Sequence, residues 1–226
     1  MSLASPPWHR LASGFDDVAL WLVDLAVAPA AANLAWLSDA ERARAARLRD
    51  PVHRLRYERA HVALRGLLGA QGGIAPGSLR FEVGAAGKPV LAPAAQGHFN
   101  LSHSADLALV AICPAAEIGV DLEVLHAVPD AAALAARVCS APERAAWVAL
   151  AGTPAGDTAF LRCWTRKEAC LKAVGTGLGV APDLVETGCG GEPRRVVVPC
   201  PEGAAAVDLR SLEPGSAWVA AVARRG

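Results

Sequence analysis

The feature that most constrains this chain is that it repeats itself. Residues 59–67 (RAHVALRGL) resemble residues 166–174 (RKEACLKAV), and further on residues 108–112 (ALVAI) match 218–222 (WVAAV) in pattern. Each half therefore reads as a long helix followed by short strands that end in an apolar one. Two similar halves of this kind bury their sheets against each other and leave a cleft between them. The composition supports this, since 53% of the 226 residues are hydrophobic. That suffices for one large domain or two small ones, with no signature of disorder.

The elements follow from local pattern. Residues 18–25 read as a first strand, and 30–35 as a short helix or a loop. Ser38 and Glu41 form a capping box that opens a helix running to about Asp50. Pro51 breaks or restarts it, and a longer helix spans 52–69. Residues 79–83 are a short strand, 84–89 a turn, and 90–91 lead into Pro93. Residues 99–103 and 107–112 read as paired strands. In the second half, 118–124 is a strand and 131–138 a helix. Ser140 and Glu143 cap another helix through Leu150. Residues 152–156 read as a loop. Residues 160–172 contain neither Pro nor Gly and form the central helix, with Thr165 able to cap its first turn and Glu168 three residues on; Gly175, Gly177 and Gly179 end it. Residues 195–198, 205–209 and 217–223 are strand candidates, with turns at 199–203 and 213–215.

Two of these elements carry chemistry. The strand Ile118-Gly119-Val120-Asp121-Leu122-Glu123-Val124 alternates apolar and acidic residues, so Asp121 and Glu123 point to one side. Two carboxylates placed together repel unless a cation sits between them. A hard divalent ion such as Mg2+ takes such oxygen ligands and keeps other positions for water and phosphate. On the helix, Glu168 and Lys172 are four apart and share a face. Read alone, that pair fits a capped surface helix with one ion pair. Beside the acidic strand, Glu168 offers a third carboxylate, and its lysine neighbours suit an anionic ligand.

Gly119-Val120-Asp121-Leu122-Glu123 and, after a gap, Trp164-Thr165-Arg166-Lys167-Glu168-Ala169-Cys170-Leu171-Lys172 resemble the signature of 4'-phosphopantetheinyl transferases of the Sfp type. Gly87-Lys88-Pro89 and Phe99-Asn100-Leu101-Ser102-His103-Ser104 resemble two further pieces of that family, in the right order. The resemblance covers most of the chain. It implies an α+β fold, a pseudo-twofold pair of similar subdomains, each a long helix on a small, mainly antiparallel sheet. Coenzyme A would lie in the cleft between them. The subdomains would span 1–116 and 117–226, the second carrying the metal site.

The implied reaction moves the phosphopantetheine arm of coenzyme A onto a serine of an apo acyl or peptidyl carrier protein, releasing adenosine 3',5'-bisphosphate. Attack on a pyrophosphate phosphorus needs charge neutralised and the nucleophile placed in line. Asp121, Glu123 and Glu168 would hold Mg2+, and Lys172 and Lys167 would pair with phosphate oxygens. Glu168 or a metal-bound water would be the base. Ser102 and His103 are the family's positions for the 3'-phosphate, and Lys88 would lie beside the adenine. Among the arginines of the first half, Arg47 and Arg56 are the expected helpers, with Arg44 next; a solvated helical face explains any one of them equally well. Arg162 and Arg166, four apart and flanking the active helix, are the expected basic patch for the carrier.

Two classes of function compete. One is the Mg2+-dependent transferase. The other is an inactive module of the same fold that only holds coenzyme A or a carrier. The complete acidic trio and both lysines favour the first. Ser/His nucleophilic catalysis from Ser102-His103-Ser104 lacks a Gly-x-Ser-x-Gly elbow. A trimeric single-domain carrier synthase needs a shorter chain than this one, so a monomer is expected.

Formal net charge is zero, so bulk charge points to neither a nucleic-acid nor a membrane partner. Residues 1–10 lack the basic and apolar regions of a signal peptide. The most apolar segment, 18–37, carries Asp24, Pro29 and Asn33, against a membrane span. The six cysteines are scattered without a Cys-x-x-Cys pair. They read as reduced, largely buried thiols of a cytoplasmic protein.

Overall fold

The computed structural model describes residues 6–84, 87–92, 97–201, 203–213, 215 and 217–226. The start of the 1–10 segment, part of the 84–89 turn, Pro93 after residues 90–91, and Glu202 and Pro214 of the later expected turns lie outside the described residues.

Two four-stranded antiparallel sheets carry the fold. The first holds β1 (Trp8–Leu11), β2 (Ala19–Asp24), β5 (His98–Ser104) and β6 (Leu107–Cys113) in the order β1-β2-β6-β5. The second holds β7 (Ile118–Val124), β8 (Arg194–Cys200), β9 (Gly203–Leu212) and β10 (Trp218–Arg225) in the order β7-β10-β9-β8. A separate hairpin pairs β3 (Arg80–Val83) with β4 (Pro89–Ala92). The helices are α1 (Asp39–Ala46), α2 (Pro51–Gly72), α3 (Ala131–Val138), α4 (Ala141–Val148) and α5 (Pro154–Val174).

The repeat is now visible as topology. β2–α2–β5–β6 and β7–α5–β9–β10 each run strand, long helix, hairpin, and each inserts its last strand in the middle of the sheet. The fold is thus α+β with two similar subdomains.

Period-two burial builds three layers of core. Leu20, Leu22, Leu109 and Ala111 of the first sheet meet Val120, Leu122, Ala220 and Val222 of the second. On the opposite face of the first sheet, Val23, Val110 and Ile112 pack under Ala60, Leu64 and Leu67 of α2. On that of the second, Val207, Leu209 and Ala221 pack under Ala169, Cys170 and Ala173 of α5. The sheets therefore lie inside and the two long helices outside.

Several boundaries differ from the sequence reading. The central helix starts at Pro154, with Thr153 accepting from the Gly156 amide at 3.1 Å. Proline at the first helical position needs no amide donor, so the expected 152–156 loop is partly helix. Thr165 caps nothing; it lies mid-helix, and its hydroxyl donates to Arg162 O at 3.0 Å. α1 stops at Ala46, and Asp50 caps α2 through the Val52 amide at 2.8 Å. Residues 31–36 form a 3-10 turn, settling the 30–35 alternative. Pro199 and Cys200 end β8 rather than opening a turn. β1, a short edge strand, carried no pattern that the sequence reading caught.

Candidate active site

The site begins at a glycine. Gly119, Asp121 and Glu123 occupy alternate positions of β7 and face α5. A Cβ on Gly119 would stand 2.1 Å from Ala169 O and 2.4 Å from the Ala173 amide nitrogen. Glycine thus lets the helix backbone lie directly on the strand. That contact brings Lys172 over the strand, where its Nζ donates to Asp121 Oδ1 at 2.5 Å and Val120 O at 3.3 Å. Glu168, one turn earlier, lies on the same side of the helix.

The other wall is β5. Its polar residues alternate toward β7, although the two strands are not paired by a backbone ladder. Asn100 Oδ1 accepts from the Val120 amide at 2.9 Å. Ser102 donates to Asp121 Oδ1 at 2.7 Å, and Ser104 donates to Glu123 Oε2 at 2.7 Å while accepting from the Val124 amide at 3.2 Å. Side chains therefore zip the edges of the two sheets together beside the carboxylates.

The electrostatics are those of a crowded acidic site. Burial raises the Glu168 pKa above the ordinary carboxylate value; Lys172 opposes this, and the Asp121 and Glu123 charges add to it. Burial likewise raises Glu123, with Asp121 adding to the effect against the Ser104 hydrogen bond. Asp121 is 5% exposed, and its Oδ2 is buried without a hydrogen-bond partner among the described residues.

On the α2 side of β5 lies a cavity of about 470 Å³ lined by Arg44, His53, Tyr57, His61, Pro89 and His103, among others. His61 stacks on Tyr57 with ring centroids 3.9 Å apart. His103 stands at its rim. Its pKa is lowered, first by burial and then by the positive charges of Lys172 and Arg56.

The sequence-predicted residues separate into groups. Asp121, Glu123, Glu168, Lys172 and Ser102 converge, with His103 beside them. Arg44, the second choice, lines the cavity, whereas Arg47 is an exposed residue at the end of α1. Arg56 is engaged by Asp106 at 2.9 Å, within electrostatic reach of His103. Lys88 spans the seam, donating to Glu117 at 2.5 Å and Ile118 O at 3.0 Å.

Lys167 corrects the sequence reading. It is 0% exposed, 2.6 Å from Glu143, and its ammonium also donates to Pro182 O and Val185 O. One residue turns a helix by about 100°, so a chain with Glu168 facing the seam turns Lys167 away from it. It is not a phosphate ligand. The basic patch of Arg162 and Arg166 is corrected too. Arg166 is 0% exposed and donates to Thr187 O, Glu192 O and Ser211 Oγ. Arg162 pairs with Glu213 and Cys189 O. Both are structural residues of the second subdomain.

Residues 117–222 match the sequence profile of the 4'-phosphopantetheinyl transferase superfamily. The chain is 36% identical to the 4'-phosphopantetheinyl transferase HetI of Nostoc sp. strain PCC 7120 over 231 aligned positions, covering 99% of this chain and 93% of HetI. The chain belongs to the 4'-phosphopantetheinyl transferase superfamily. It is also 32% identical to the 4'-phosphopantetheinyl transferase psf-1 of Bacillus pumilus, over 63% of this chain and 60% of that one. The 4'-phosphopantetheinyl transferase AcpT of Escherichia coli K12 is 38% identical over 41% of this chain and 47% of its own length.

In this transferase-family chain, four contributors went unassigned in the sequence. Asn100 and Ser104 flank Ser102 at period two, and that polar alternation was the signal for an edge facing β7. Tyr57 and His61 sit one helical turn apart on α2, which is a stacking spacing but also ordinary helix patterning.

Proposed function

We propose that the chain is a Mg2+-dependent 4'-phosphopantetheinyl transferase that uses coenzyme A to modify a serine of an apo acyl or peptidyl carrier protein. Its parts divide as 1–116 and 117–226, and it acts as a cytoplasmic monomer. The observation that carries the reading is the convergence of Asp121, Glu123, Glu168 and Lys172 at one seam, beside a cavity with cationic and aromatic lining.

The donor set suits a hard divalent cation. The charges of Asp121, Glu123 and Glu168 act on one another, although their oxygens do not all lie within 4.8 Å as a closed metal cage would place them; two of the carboxyls have pKa values raised by burial, and Asp121 Oδ2 is buried with no donor among the described residues. Asp121, Glu123 and Glu168 would hold Mg2+, which when bound neutralises pyrophosphate charge. Ser102 and Ser104 hold two of these carboxylates in place through their hydroxyls. Lys172 carries a charge able to pass from Asp121 to a phosphate oxygen. Glu168 is the chain's own group that would accept the carrier serine's proton. Arg44 and His103 would meet the 3'-phosphate, and the charge of Arg56 acts on His103. Tyr57 and His61 offer an aromatic surface to the adenine, and Lys88 fixes the seam at its edge.

The test is incubation with coenzyme A, Mg2+ and an apo carrier, read as a mass gain on the carrier. Gain of the phosphopantetheine mass, lost with EDTA, is the expected result. Tight coenzyme A binding with no gain on fatty-acid, polyketide or peptide carriers would favour the binding module.

A further inference from the structure

A separate cavity, also of about 470 Å³, lies in the first subdomain away from the seam. Its walls come from the start of β1, the end of β2, the 27–30 segment and α2. Pro7, Trp8, Val27, Pro29 and Val62 make most of it apolar. Among the described residues it shares no lining residue with the cavity beside β5. Arg59, Val62 and Ala63 of α2 line this one, whereas His53, Tyr57, His61 and Leu64 line the other. The Asp24 amide donates to Pro7 O at 2.7 Å, which carries the β1–β2 pairing up to the cavity wall. Trp8 is braced against α2 at Gly66, where a Cβ would stand 3.4 Å from Trp8 Cη2 and 3.2 Å from Trp36 Cζ3.

The polar groups at this cavity are few. Arg59 Nη1 donates to Leu25 O at 2.5 Å and to Ala26 O at 2.9 Å. Two carbonyls orient the guanidinium without neutralising it, and its other nitrogens have no hydrogen-bond partner among the described residues. The Arg59 charge reaches Asp106, but that carboxylate already holds Arg56 at 2.9 Å. Asp24 lines the cavity too, and its Oδ1 accepts from the Ala26 amide at 2.8 Å. An oriented guanidinium with donors to spare matches a carboxylate.

We propose that this cavity is a binding site for a small apolar monocarboxylate, with its tail against Trp8, Val27 and Val62 and its carboxylate on Arg59. The volume falls in the range of about 300–1,000 Å³ that encloses small ligands. Apolar walls that face water gain by being covered, which supplies affinity. The oriented cation supplies the choice of head group. The site is distinct from the one proposed for coenzyme A and does not depend on it.

Decanoate, decanol and decylamine share one tail and differ in the head. Each is titrated calorimetrically into the full chain, with and without saturating coenzyme A. Decanoate should bind at one site, about tenfold or more tighter than either of the others, and coenzyme A should not displace it. Val27 is 45% exposed, so Val27→Trp puts bulk into the cavity without disturbing the core. It should abolish decanoate binding while Tm and coenzyme A affinity stay put. Arg59→Met should bring decanoate down to the decanol level and leave decanol unchanged. The proposal is overturned if decanoate does not bind, if the three heads bind equally or decylamine binds best, or if coenzyme A displaces decanoate. It is overturned as well by unchanged binding in Val27→Trp, or by binding that appears only once residues 1–5 are removed, which makes the chain's own N-terminus the occupant. Should Arg59→Met not fold, the order of the three heads on the wild type decides alone.

Discussion

At the scale of single residues, three positions on two facing elements set the site. Glu168 has a raised pKa, so its share of stability is present below the ordinary carboxylate pKa and lost as pH rises through the raised value. Glu168→Gln removes that loss. At neutral pH and without metal, its denaturation midpoint should equal or exceed that of the wild type, while carrier modification falls by about 10²–10⁴-fold, as for loss of a general base. Turnover close to wild type would remove Glu168 from the site. Asp121→Ala should also abolish transfer with the fold intact. Gly119→Ala works differently. The atoms its Cβ would meet are backbone, so α5 itself must move. The expected cost is about 1–3 kcal/mol by urea denaturation, as for overpacking, with loss of transfer as Lys172 leaves Asp121. An unchanged midpoint would show that the helix does not need that contact.

At the scale of elements, α4 and α5 are joined by the Glu143–Lys167 pair, both groups nearly fully buried. Burial alone would raise the Glu143 pKa, but the Lys167 hydrogen bond and charge and the amide donors outweigh it, and the net shift is downward. This pair's stability is therefore present above the ordinary glutamate pKa and lost as pH falls through the lowered one. Glu143→Ala strands Lys167 and should cost about 3–5 kcal/mol at neutral pH. Urea midpoints at neutral and acid pH give the check, and the gap between wild type and variant should narrow in acid. The same elements show what sequence can convey. Both capping boxes, Ser38/Glu41 and Ser140/Glu143, were legible because every partner lies within four residues. The strand that holds Asp121 was legible because alternation is local. The burial of Arg166 and Lys167 was not. A run of charge reads as a solvated face, and the carbonyls of residues 182–192 that receive these two side chains come from a later segment with no pattern of its own.

At the scale of the whole molecule, the two sheets share a continuous apolar core but meet at β5 and β7 through side chains rather than a backbone ladder. That leaves a polar edge on which a long ligand can lie across both halves, from the cavity beside α2 to the carboxylates beside α5. A ligand that bridges the halves stabilises the fold by RT ln(1 + [L]/Kd). Coenzyme A should therefore raise Tm more than dephospho-coenzyme A, because only the former carries the 3'-phosphate that Arg44 and His103 would meet. A charge-assisted contact is worth about 1.5–3 kcal/mol, or roughly 10- to 100-fold in affinity at that arithmetic. His103 has a lowered pKa, so it is neutral over much of the working range and gains charge only as pH falls. The preference for coenzyme A over its dephospho form should accordingly widen toward acid pH in the wild type. His103→Ala should flatten that trend, and Arg44→Ala should lower the preference at every pH while leaving its slope. Arg47→Ala, on the exposed end of α1, should leave both untouched. Calorimetric titration of the two ligands across pH reads all three variants. If His103→Ala and Arg44→Ala weaken both ligands equally, these residues serve the pyrophosphate or the fold, and the 3'-phosphate lies elsewhere along the seam.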